Sequence, residues 1–80
     1  MQTDRIIALM KMILGRQGKP TDGLETRTTL RELGFRSLDF SELCLRAEEE
    51  TGRELNFDAG SLRRIETVGD VCQFLSDALK

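Results

Sequence analysis

The chain has no histidine, tryptophan or tyrosine among its 80 residues, and only one proline and two cysteines. Without histidine, the commonest general base and metal ligand are both missing. Cys44 and Cys72 are too few and too far apart in sequence for a zinc site. Both fall at apolar helical positions and read as small buried hydrophobes, kept as reduced thiols in a cytoplasmic protein. The N-terminus lacks a charged-then-apolar signal pattern, and no apolar run approaches the roughly 20 residues that span a bilayer. No segment alternates apolar and polar residues over a useful length, so strands are not expected.

What is present is enough for one small core. A chain this short buries only about 60% of its unfolded surface, so one domain over residues 1–80 of modest stability is expected. Hydrophobic residues make up 39% of the chain, with four phenylalanines as the large aromatics. The net charge of −2 hides an asymmetry. Asp39, Glu42, Glu48, Glu49 and Glu50 face one arginine, Arg46, in the same segment, whereas Arg16, Lys19, Arg27, Arg31 and Arg36 outnumber the acidic residues around them. An acidic segment disfavours nucleic acid, whose phosphates need clustered lysine and arginine, and favours a basic protein surface. The plainer reading is a solvated helix face with no partner.

A first helix is expected from Thr3 to Gly15, with Thr3 as its cap, Asp4 at the positive end of the dipole and Gly15 closing it. Ile6, Leu9, Met10, Ile13 and Leu14 recur at helical spacing and form its buried stripe. Met1, Met10 and Met12 read as adaptable core filler. A long connection follows, broken by Gly18, Pro20 and Gly23. Within it, Thr29 and Glu32 stand in capping-box spacing, so Thr29 to Leu33 predicts a single helical turn ended by Gly34. Leu24, Leu30, Leu33 and Phe35 can pin this loop to the core.

A second helix is expected from Ser37 to Thr51, ended by Gly52, with Phe40, Leu43, Cys44 and Ala47 inward and Asp39, Glu42 and Glu49 outward. Leu38 and Leu45 then border the acidic strip as either docking residues or the edge of the core. A short third helix lies within Asn56 to Arg64, capped by Asp58 and weakened by Gly60. The last helix starts at Thr67, paired with Asp70, and buries Val68, Val71, Cys72, Leu75 and Leu79. The fold class is all-α: a small four-helix bundle with three main helices, one short third helix, and a long loop between the first and second.

The segment Leu33-Gly34-Phe35-Arg36-Ser37-Leu38-Asp39, followed by Glu42-Leu43 and Ala47-Glu48-Glu49-Glu50, resembles the acyl carrier protein family. Ile65-Glu66-Thr67-Val68 resembles the family's entry to its last helix. The likeness covers nearly the whole chain and implies the acyl-carrier type of bundle, with 4'-phosphopantetheine attached to Ser37. A phosphate there would meet the unpaired amides and positive dipole end of a helix start; the plain alternative is that Ser37 is only an N-cap. The family usually has aspartate where this chain has Arg36, which bears on recognition by a generic transferase. Arg36 is expected to contact the arm's phosphate or an acidic patch on a dedicated partner.

The resemblance also implies a partner face formed by Leu38, Asp39, Glu42, Leu45, Glu48 and Glu49. The implied partners are a phosphopantetheinyl transferase and acyl-loading and acyl-processing enzymes such as a ligase, ketosynthase or acyltransferase. No nucleic acid and no membrane insertion are expected, and the protein is expected to be a discrete cytoplasmic monomer running from an initiating Met1 to Lys80. It is not expected to be an enzyme, since Ser37 has no histidine to activate it. An acyl chain could shelter among Phe35, Phe40, Leu43, Leu45, Phe57, Leu62 and Ile65. The alternatives are an aminoacyl or peptidyl carrier and an unmodified carrier-like interaction module.

Overall fold

A computed structural model describes residues 1–56 and 59–79. Five helices occur among them: α1 (Thr3–Arg16), α2 (Leu30–Leu33), α3 (Ser37–Thr51), α4 (Ala59–Arg63) and α5 (Val68–Ala78). The four expected helices are all present, and α2 is the single turn predicted inside the long loop. No strand occurs among the described residues, where the one extended pairing is an isolated antiparallel bridge between Thr29 and Thr67.

The apolar spacing of α1 buries Ile6, Leu9, Met10, Ile13 and Leu14, and this stripe packs against α3 and α5. From those helices come Phe40, Leu43, Cys44 and Ala47, and Val68, Val71, Cys72 and Leu75, all in one continuous core. Thr3 does not cap α1. Gln2 holds that position with no side-chain bond. At the other end the helix runs past Gly15 to Arg16. Met10 fills the core as expected, but Met12 does not, being 40% exposed.

Both later boundaries follow their expected caps. Gly52 ends α3 at φ 69°, donating its N–H to the Glu48 carbonyl at 2.8 Å. At the start of α5, Asp70 donates its N–H to Thr67 Oγ1 at 3.1 Å and its carboxylate accepts the Thr67 N–H at 3.0 Å. The long loop is tied to this same corner. Gly69 N–H donates to the Thr26 carbonyl at 2.7 Å, Val68 to Thr28 at 2.9 Å, and Leu30 to Glu66 at 2.9 Å. Leu24, Leu30 and Leu33 pack on the core and Phe35 enters it, as predicted. Gly60 lies within α4, whereas the expected cap Asp58, like Phe57, lies outside the described residues.

Candidate functional site

The corner between α2 and α3 is built from the backbone outward. Thr29 caps α2 by accepting the Glu32 N–H at 3.1 Å, and Gly34 closes it at φ 70°. Phe35, with its N–H donated to the Leu30 carbonyl at 2.9 Å, then anchors the turn in the core. Arg36 is extended and caps α3, so Ser37 is the first helical residue and not the N-cap. Asp39, at the third helical position, accepts the Arg36 N–H on Oδ2 at 2.8 Å, the half of a capping box that holds the N-cap backbone and fixes Arg36 there. Ser37 is exposed, and its hydroxyl has no hydrogen-bond partner among the described residues.

Asp39 departs from its expected outward orientation, being only 7% exposed. It points toward the end of α1, where Gln17 Nε2 donates to Oδ1 and Lys19 Nζ stands 3.9 Å from Oδ2. Lys19 also donates to the Gly34 carbonyl. One buried carboxylate thus bolts the serine-bearing corner to α1. Burial is the largest influence on this carboxyl and pushes its pKa up. The bonds from Arg36 and Gln17, with the charges of Lys19 and Arg36, outweigh it and hold the pKa below the ordinary value.

Beside Ser37 opens a cavity of about 410 Å³. Leu30, Phe35, Phe40, Leu62 and Ile65 supply its apolar wall, and Arg31, Arg36, Ser37 and Ser41 its exposed residues. This corrects the expected apolar set: Leu43 is wholly buried in the core and Leu45 is 59% exposed, so neither lines the cavity.

Along α3, Leu38 is 83% exposed and, with Leu45, stands clear of the core. Glu49 is exposed as well. Glu42 accepts from Arg16 and Arg46, each at 3.0 Å, and Glu48 turns to accept the Leu55 N–H at 2.8 Å. The sequence reading missed Gln17, Lys19 and Arg31. Gln17 and Lys19 meet Asp39 across about twenty residues of chain and leave no local signal, whereas Arg31 could have been found from its place on the predicted turn facing the serine.

No helix among the described residues is long and apolar enough to cross a membrane, and no cluster of metal-ligating side chains occurs among them. Over residues 4–75 the chain matches the family described as the phosphopantetheine attachment site, and it belongs to that family. It is similar to MacpD, an acyl carrier protein of Pseudomonas fluorescens involved in mupirocin biosynthesis, at 28% identity and TM-score 0.72. That likeness covers 90% of this chain and 65% of the relative, so the chain spans about two thirds of that protein. It is also similar to an acyl carrier protein from Thermotoga maritima, at 25% identity and TM-score 0.70, over 99% of this chain and 92% of the other. The fold is therefore that of an acyl carrier protein, and the family's group is 4'-phosphopantetheine.

Proposed function

We propose that the protein is a carrier whose Ser37 bears 4'-phosphopantetheine and which delivers acyl intermediates to enzymes of fatty-acid, polyketide or related specialised biosynthesis. The observation that carries this reading is the exposed Ser37 hydroxyl, without a hydrogen-bond partner among the described residues, in the first turn of the 15-residue α3. First-turn amides have no intrahelical acceptor and the dipole end is positive, so a phosphodiester fits there, with the exposed Arg36 beside it. The arm supplies the thiol that holds cargo as a thioester. The chain's own residues present the serine, fix its corner through Asp39, and offer an apolar wall next to it.

The protein itself is a non-catalytic, cytoplasmic monomer, a single domain over 1–80, consistent with a serine that has no histidine to activate it. Its partners are a phosphopantetheinyl transferase and the ligase, ketosynthase or acyltransferase that loads or processes the cargo. The docking face uses Leu38, Leu45 and Glu49, with Asp39, Glu42 and Glu48 held by partners within the chain beneath it. MacpD's place in mupirocin biosynthesis favours a specialised pathway. The test is intact mass after co-expression with a broad-specificity transferase. The parent gains one phosphopantetheine and Ser37→Ala gains none; a parent that stays unmodified with every transferase sinks the reading. Loading by acyl- rather than aminoacyl-adenylating enzymes then separates the acyl carrier from an aminoacyl or peptidyl one.

A further inference from the structure

We propose that the enzyme surface reaching Ser37 is acidic: its carboxylates meet Arg31 and Arg36, and an apolar seat takes Leu38. This deepens the carrier reading and rests on it. The acidic run of α3 is largely spent within the chain. Asp39 is buried against Gln17 and the Arg36 amide. Glu42 holds Arg16 and Arg46, Glu48 takes the Leu55 amide, and Glu50 pairs with Arg5. Among the described residues, Glu49 alone of these carboxylates keeps no partner.

The arginines divide the other way. Arg5, Arg16, Arg27 and Arg46 have carboxylate partners. Arg31, Arg36, Arg63 and Arg64 are exposed and form no ion pair within 4 Å among the described residues, although the charge of Arg36 also acts on the buried Asp39. Two of them stand at the serine. Arg31 and Arg36 line the cavity beside Ser37, while Arg63 and Arg64 stand between Leu62 and Ile65, which form its apolar wall.

A single phosphodiester on Ser37 carries one negative charge and cannot neutralise both Arg31 and Arg36. Nucleic acid and lipid surfaces fit poorly, because the chain is net −2 and an 83%-exposed leucine projects beside the arginines. Arginine around a buried apolar anchor is the composition of a protein–protein contact, and unpaired charge of one sign steers the approach of the opposite sign.

The test takes two purified phosphopantetheinyl transferases, chosen so that one has an acidic and the other a basic rim around its coenzyme A cleft. Transfer to the full chain is followed by intact mass, and circular dichroism confirms that each variant is folded. For the acidic-rimmed enzyme, Arg31→Glu combined with Arg36→Glu raises KM roughly tenfold with kcat within about twofold, an effect that shrinks at high salt. The basic-rimmed enzyme shows the reverse order. Lys11→Glu, the same charge change as either single arginine substitution but on the exposed side of α1, leaves KM within about twofold for both enzymes. Identical KM values for parent and double variant with both enzymes overturn the proposal. So does arginine-dependent binding to phosphatidylglycerol vesicles with KM unmoved, which would assign the arginines to lipid. If neither enzyme adds mass to any form, the carrier reading fails first and takes this proposal with it.

Discussion

The Asp39 carboxylate accepts the backbone N–H of Arg36 at 2.8 Å while Gln17, from the far end of α1, donates to its other oxygen. The residue before the serine is thereby fixed by a group beneath it and not by the serine itself.

Removing that group tests the arrangement. Asp39→Ala leaves the Arg36 amide without its acceptor and should cost about 1–3 kcal/mol of stability. The pH dependence has a definite sign. A carboxyl held below its ordinary pKa in the folded state contributes stability that is complete above the unfolded value and is lost as pH falls through the folded one. Asp39 is of this kind, and so is Asp70, whose pKa is lowered by the amides of Glu66 and Thr67. The urea midpoint of the parent should stay level near neutral pH and drop once the pH passes below about 4.5. Asp39→Asn should start lower and fall less steeply; equal slopes would mean that Asp39 is not linked to folding.

Much of this was legible in the sequence because the signals are local. The stripes of α1, α3 and α5, the Thr29 turn and the Thr67–Asp70 pair each lie within one or two helical turns, where spacing determines orientation. The misread residues are those whose partners lie elsewhere. Asp39 sits where a helix wheel turns it outward, yet Gln17 and Lys19 reach it from the loop after α1. Glu42 reads as free until Arg16 arrives from α1 to join Arg46. Helical periodicity shows which face is apolar; it does not show which charges on the polar face are already matched.

Gly34 and Gly52 offer a controlled pair, since φ is 70° and 69°. Alanine at either is strained by about 1–2 kcal/mol. At Gly52 a Cβ meets nothing within 4 Å, whereas at Gly34 it stands 3.3 Å from Lys19 Nζ. Gly34→Ala should therefore lose more stability than Gly52→Ala in denaturant melts, because Lys19 must also move from the Gly34 carbonyl and from Asp39. Equal losses would leave Lys19 no part in holding the corner.

Leu38 and Leu43 separate docking from folding. Leu43 is wholly buried, and Leu43→Ala should cost about 2–5 kcal/mol. Leu38→Ala should move the denaturation midpoint by less than about 0.5 kcal/mol while slowing modification of Ser37 by the transferase. An unaltered modification rate would remove Leu38 from the docking face.

Burial raises the Cys44 thiol to about 12, with Glu48 adding to the shift, and burial raises Cys72 as well. Thiolate is the reactive form, so both cysteines should resist alkylation in the folded protein at mildly alkaline pH and react at once in denaturant. Rapid labelling of the native chain would show that the core opens far more readily than its packing implies.

The cavity beside Ser37 makes the last prediction. At about 410 Å³ it falls within the range of small-ligand sites, and Phe35, Phe40, Leu62 and Ile65 line it from two sides of the bundle. An acyl chain turned back from Ser37 would exchange water for that wall, at up to about 0.8 kcal/mol per buried methylene. Because 1 kcal/mol moves the Tm of a domain this size by roughly 4–8 °C, octanoyl-loaded protein should melt several degrees above the butyryl-loaded form. Ile65→Trp, which fills the space with a side chain, should abolish that increment without preventing modification of Ser37. A Tm independent of chain length would place the cargo outside the protein, leaving the arm and the partner enzyme to shield it.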